Sequence, residues 1–251
     1  MAAPGGRTRG GAKLAQSDVP RALIVMNETL GNLVALTLQH GSYETRRTTN
    51  AQECGEMLRE WAPHLAFLDL DFFEPFIDLV GRGLAHGHIP ILAFTRRRDT
   101  ALKLSAYERG ADDIVEVPFT LDEIVARPFA LLRRAHGIAV TIVPKIGLDG
   151  LEVDLIGQRV SVGGRDLHLT PIQQTLLYLL AANAGRALSR EDLLSSIWGT
   201  EFEIESNVVD RHIRELRVKL GDEWRSPRYI ETVPGAGYRF KSQTSVSAAA
   251  E

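Results

Sequence analysis

The chain has 251 residues, 44% of them hydrophobic, which is enough for one large core or two of ordinary size, and its composition excludes a fibrous repeat. A formal charge of -3 and a pI near 6.2 exclude a global attraction to nucleic acid, so any such binding must come from a local basic face. The single cysteine, Cys54, excludes an internal disulfide and a thiolate metal cluster, and its place in a helical pattern predicts that the thiol packs.

Residues 1–19 lack the apolar core of a signal peptide and read as a flexible tail. No stretch approaches the roughly 18 apolar residues of a membrane span, which predicts a soluble, cytoplasmic protein with no membrane partner. From residue 20 to 135, short apolar runs alternate with longer amphipathic ones, the pattern of βα units around a parallel sheet. The predicted strands are ALIV (22–25), YETRRT (43–48, an edge), HLAFLDL (64–70), PILAFT (90–95) and DIVEV (113–117), with helical stretches such as LGNLVALTLQH and TALKLSAYERG between them. The expected fold is α/β: a flavodoxin-like, doubly wound domain on a five-stranded parallel sheet, with ligands at the carboxyl ends of the strands.

Residues 136–145 carry Gly and Pro with no helical period and read as a linker. An α+β domain follows over 146–241, and 242–251 is a tail. LEVDLIGQRVSVGGRDLHLT predicts small antiparallel strands with GQ and GG as turns. The first of three helices is capped by Thr170, starts at Pro171 and turns Leu176, Leu177 and Leu180 inward. The second is capped by Ser189 and buries Leu193, Leu194, Ile197 and Trp198. The third is SNVVDRHIRELRVKL, and RYIETVPGAGYRF then reads as strand, PGAG turn, strand.

On a helical wheel Val209, Ile213, Leu216 and Leu220 of the third helix share one stripe, which must face the core. The opposite face then shows Asn207, Arg211, Arg214, Glu215 and Val218, with His212 and Lys219 on one flank and Arg217 on the other. Such a face suits the DNA major groove: Arg bonds guanine, Asn adenine and Glu the cytosine amine, while flanking cations meet phosphates. A solvated helix with mixed charges would show the same residues. Three helices closed by a β-hairpin favour the first reading, because that order makes a winged helix-turn-helix.

The segments LTPIQQTLLYLLAANAGRALSREDLLSSIWG, VVDRHIRELRVKL and YIETVPGAGYRF resemble the effector domain of OmpR/PhoB-type response regulators over about residues 147 to 240. The resemblance implies double-stranded DNA as partner, with His212, Arg214 and Arg217 at DNA-contacting positions and Thr232, Tyr238 and Arg239 on the hairpin. It also implies an RNA polymerase contact from the loop near Gly199 to Glu205. Asn207, Glu215 and Pro234 depart from the family's usual residues, which implies a weaker wing contact and an unusual base preference.

RALIVMNE, PHLAFLDL, PILAFT and GADDIVEVPF in turn resemble the family's receiver domain over about 21 to 135, which places a phosphoacceptor at Asp69. Phosphoryl transfer relies on a metal held by carboxylates and on a lysine. The family's acid pair falls on Met26 and Asn27, which suit a hard cation poorly, and the lysine falls on Val117. Thr95 matches, but Arg96 takes the place of a small residue and Ile114 that of an aromatic switch. Asp69 is then either a phosphoacceptor helped by Glu28 or Arg96, or a leftover carboxylate paired with an arginine. The expectation is a regulator, not an enzyme, with no metal or cofactor, independent of phosphate. It is also expected to be a homodimer through a face that includes Asp112, Asp113, Arg127 and Arg133, with Pro128 inside the fifth helix complicating that surface.

Three other readings compete. A conventional regulator would be phosphorylated on Asp69, and FLDLDFF imitates the start of a haloacid dehalogenase-like phosphatase. Glu215 and Pro234 allow a pure protein-interaction module. GRGLAHG (81–87) reads as a turn, and His86 and His88 as loop histidines without further ligands at metal spacing.

Overall fold

The computed structural model describes residues 19–39, 43–82, 87–138, 145–148, 150–154, 159–199 and 207–241. Residues 1–18 of the first expected tail, all of the second, most of GRGLAHG, including His86, and the linker residues 139–144 lie outside them.

The first domain alternates β1 (Arg21–Val25), α1 (Glu28–Gln39), β2 (Glu44–Arg47), α2 (Ala51–Glu56, continued by a π-helical turn Met57–Trp61), β3 (Leu65–Asp69), α3 (Leu70–Phe73), α4 (Phe76–Arg82), β4 (Ile91–Thr95), α5 (Thr100–Glu108), β5 (Asp113–Glu116) and α6 (Leu121–His136). The strands pair in the order β2-β1-β3-β4-β5, all parallel, with β2 at an edge as the sequence predicted. Every residue of β3 and β4 is buried because helices cover both faces. Ile24, Phe67, Phe94 and Val115 pack on one face beneath α1 and α6. Leu23, Val25, Leu68 and Ile91 pack on the other with Cys54, Ile77 and Ala106 from α2, α4 and α5. The Cys54 thiol is fully buried, and burial pushes its pKa up to about 11. Helix α6 runs through the buried Pro128 and closes at Gly137, whose φ of 68° is left-handed.

The second domain opens with a four-stranded antiparallel sheet, β6 (Lys145–Leu148), β7 (Leu151–Asp154), β8 (Arg159–Val162) and β9 (Arg165–Leu167). Strand β6 was not expected, since it starts inside the stretch read as a linker and is only four residues long; its pairing with β7 defines it. Then come α7 (Pro171–Ala182), β10 (Ala187–Leu188), α8 (Arg190–Ile197), α9 (Val208–Leu220), β11 (Ile230–Val233) and β12 (Gly237–Phe240). Thr170 with Gln173, and Ser189 with Asp192, form the capping boxes that start α7 and α8. The hairpin β11–β12 needs Gly237: its φ is 126°, and a Cβ there would lie 2.1 Å from the Leu188 carbonyl of β10.

The two domains share one apolar cluster. Leu30, Leu33 and Val34 of α1 belong to the same buried set as Leu176, Leu179 and Leu180 of α7, and α1 lies against α7. Helix α7 is therefore buried on nearly every side, between α1 and its own domain's α9 and β12.

Candidate nucleic-acid interface

Helix α9 turns Val209, Ile213, Leu216 and Leu220 into the core, as the wheel predicts, and closes at Gly221 in the left-handed region. Burying that stripe leaves Arg211, Arg214, Glu215 and Val218 exposed on the far side, with Asn207 exposed at the helix start. Among the described residues no hydrogen bond or ion pair engages the side chains of Arg211, Arg214 or Asn207. Val218 is a large aliphatic residue 75% open to solvent, available to the methyl group of a thymine. Glu215 is held: its Oε2 accepts from Nε2 of Gln173 at 3.0 Å. Arg211, Arg214, Glu215 and Val218 line one groove with Thr170, Gln173 and Lys219. Among the described residues, none of the first domain's lines it.

The structure separates these side chains from the other predicted contacts. Lys219, expected to reach phosphates, donates instead to the His168 carbonyl at 2.6 Å and to Gln173 Oε1 at 2.7 Å. Arg217 donates to the Ile230 carbonyl at 2.7 Å and to Thr232 Oγ1 at 2.9 Å, so it ties α9 to the wing. His212 stacks on Trp198, with ring centroids 5.6 Å apart, and burial lowers its pKa, so near neutral pH it is an uncharged packing group. The Tyr238 hydroxyl donates to Asp210 at 2.6 Å, and burial followed by that bond pushes its pKa up to about 12. Arg239 is paired with Glu231 at 2.7 Å. Arg217, Tyr238 and Arg239 make the contacts of the wing, whereas Lys219 and His212 hold α9 to α7 and to the end of α8; none of these partners neighbours its residue in sequence, so a wheel could not show them.

Two contributors escaped the sequence reading. Gln173 holds both Glu215 and Lys219; its only local signal was its place in the capping box. Arg190, just after the Ser189 cap, bonds Asp210 at 2.8 Å and lies over the Tyr238 ring.

A second constellation sits at the carboxyl ends of β3 and β4. Asp69 is fully buried, and its Oδ1 accepts from Nη1 of Arg96 at 2.6 Å. The same nitrogen lies 3.1 Å from Asp71 Oδ2, which also accepts from the Arg96 backbone at 2.7 Å, and Thr95 Oγ1 donates to Asp71 Oδ1 at 2.7 Å. Burial raises the pKa of Asp69, while the charge and hydrogen bond of Arg96 oppose that rise. The two carboxylates that suggested a phosphatase thus share one guanidinium.

The magnesium ion that a receiver domain implies does not fit these residues. Met26 is buried in the apolar cluster, and Asn27 Oδ1 accepts from Leu30 at 2.9 Å as part of the start of α1. No group of three or more His, Cys, Asp or Glu able to hold a metal occurs among the described residues. Glu28 points away from Asp69 and pairs with Arg186 of the second domain.

On the expected dimer face, Arg127 bridges Asp113 and Glu123 at 2.9 and 2.8 Å, and Arg133 lies over the Phe129 ring. Asp112 accepts from the Ile91 backbone and pairs with His88, giving that histidine a partner of its own. Of the loop expected to meet RNA polymerase, only Gly199 is described.

The chain is similar to known regulatory proteins. A family model described as "Transcriptional regulatory protein, C terminal" matches residues 164–240. The transcriptional regulatory protein KdpE of Mycobacterium tuberculosis is 35% identical over 184 residues, 73% of this chain and 81% of the relative. The phosphate regulon transcriptional regulatory protein PhoB of Klebsiella pneumoniae is 33% identical over 230 residues, 89% of this chain and 98% of its own. Among solved structures, response regulator DrrB of Thermotoga maritima aligns at 25% identity over 89% of this chain and 99% of that one, with a TM-score of 0.39. No described helix is long and apolar enough to cross a membrane.

Proposed function

The chain belongs to the OmpR/PhoB-type response regulators, and from that premise we propose that it binds promoter DNA through α9 as a dimer, without phosphorylation of its receiver. The observation that carries the reading is a contrast in arginines. Arg211 and Arg214 stand exposed on the outer face of α9, while Arg96 is 1% exposed at its side chain and bonded to Asp69 Oδ1.

Exposed, unpaired guanidinium groups on a helix presented by its buried opposite stripe match the bidentate donors that read guanine. Glu215, fixed by Gln173, adds an acceptor for a cytosine amine on the same face. The wing hairpin, with Arg190 beside Tyr238, supplies backbone contacts. A net charge of -3 confines attraction to this face.

Independence from phosphate is supported by the Asp69 pocket, where a buried guanidinium, and neither a metal-binding acid pair nor a lysine, faces the carboxylate. The α5–β5–α6 face is the dimer surface in this reading; Leu104 and Tyr107 of α5 are exposed, and Arg127 pairs with Asp113. A dimer multiplies two half-site affinities, so the operator is a pair of short repeats. The loop after α8 is the surface offered to RNA polymerase, and the cytoplasm is the compartment where both partners are met.

Selection of bound duplexes from a random pool, using the full-length protein with no phosphodonor, tests this function. Paired repeats are expected in the enriched pool, with the enrichment lost when Arg211 and Arg214 are both replaced by Ala. A pool that stays random, or one unaffected by the double substitution, would remove the assignment.

A further inference from the structure

Open α/β sheets bind ligands at the carboxyl edge of their strands. In this chain the segments that follow three of the strands at that edge meet the second domain. After β1, the Thr29 carbonyl accepts from Nδ2 of Asn183 at 3.2 Å, and Asn32 donates to Asn183 Oδ1 at 2.7 Å. After β5, the Phe119 carbonyl accepts from Thr175 Oγ1 at 3.0 Å. After β4, Arg96 bonds Asp69 and Asp71 with Nη1 and turns its Nε to the Ser196 carbonyl of α8 at 2.9 Å.

The last of these contacts spans the domain boundary with a buried charge. The final carbonyls of a helix lack intrahelical partners and carry the negative end of its dipole, so a cation there is stabilising. Helix α8 ends at Ile197, and the chain turns away at Gly199 with a φ of 84°. A Cβ at Gly199 would lie 3.5 Å from both Cβ and Cδ of Arg96, so the arginine stem lies flat against the chain leaving α8. One guanidinium therefore neutralises the acids of the first domain and caps a helix of the second. Thr175 and Asn183 are buried as well, whereas the Glu28–Arg186 pair at the rim is half exposed and adds little.

We propose that the edge of the receiver where phosphorylation would occur is a docking seat for the chain's own effector domain, with Arg96 as its central contact. The two domains then move as one body that keeps α9 facing outward. The proposal rests on the family reading for the former use of this edge, but the joint itself requires no DNA.

Hydrogen exchange on the full-length protein without DNA tests the seat. Arg96→Lys keeps a positive charge for the acids, yet its single terminal nitrogen cannot replace the bond from Nε to Ser196. Thr175→Val removes a contact of the seat and touches nothing in the acid pocket. Exchange in α1 and α8 is expected to quicken about tenfold in the Arg96 variant and less in the Thr175 variant, with the β-sheet amides unchanged. If Arg96→Lys unfolds the receiver, shown by lost sheet protection, the Thr175 variant alone decides. Unchanged exchange in α1, α7 and α8 in the folded variants overturns the proposal and leaves the DNA-binding reading standing.

Discussion

The Asp69 pocket and the outer face of α9 hold similar charged groups in opposite states. In the pocket the charges are paired within the molecule: Arg96 is closed in between two aspartates and a helix end, although Asp69 Oδ2 and Arg96 Nη2 are buried without a hydrogen-bond partner among the described residues. On α9 the two arginines have no partner among the described residues, and the folding of the helix itself aims them outward. Buried, paired charge fixes structure because breaking the pair strands an ion in a low dielectric. Exposed, unpaired charge contributes little to stability and is free to meet a ligand. The contrast separates residues by role more sharply than their chemical type does.

Substitutions can sharpen that contrast. The largest effect is expected at the pocket: Asp69→Ala removes the shorter of the two ion pairs of the buried Arg96 and should cost about 3 kcal/mol of stability by chemical denaturation. A loss below about 0.5 kcal/mol would mean that the pair is not buried in solution. On α9 the order reverses, with Arg214→Ala leaving stability unchanged but weakening operator binding by about 1 to 3 kcal/mol and relaxing one base position. An unaltered base preference would refute that role. Arg217→Ala lies between the two: losing its bonds to Ile230 and Thr232 should lower stability by about 1 kcal/mol and weaken all DNA sequences alike through a loosened wing. A change in preference at one base pair would instead place Arg217 among the readers.

The smallest effect is the pH response of His212. Its folded pKa is lowered, chiefly by burial, so the folded state holds fewer protons than the unfolded chain. The stability tied to the neutral ring is present above the unfolded value near 6.5 and lost as pH falls through it. Denaturation midpoints of the wild type and His212→Gln should therefore converge as pH drops below that value; a gap that widens on acidification would reverse the sign.

Most of the fold was legible because it rests on local periodicity. The five parallel strands, the capped starts of α7 and α8 and the stripe of α9 each follow from spacing within a dozen residues. The outward direction of Arg211 and Arg214 was legible for the same reason, being the complement of a buried stripe. What escaped was non-local. Lys219 and Arg217 sit where a wheel puts phosphate contacts, but their partners, the carbonyls of His168 and Ile230, come from segments the wheel does not contain. Helix α7 is apolar on all sides, the mark of a helix covered from both directions. Only the packed molecule shows that its second cover is α1 of the other domain. Arg96 stood out in the sequence as a large residue at a small position and a possible partner for Asp69, but its reach to Ser196 depends on the docking of the domains.

The most direct measurement is the affinity of the full-length protein for its selected operator with and without acetyl phosphate and magnesium, in wild type and Asp69→Asn. The account predicts tight binding by the untreated wild type and no more than about a twofold change on treatment, well under 1 kcal/mol. Binding that arises only after the phosphodonor is added, and is lost in Asp69→Asn, would contradict it.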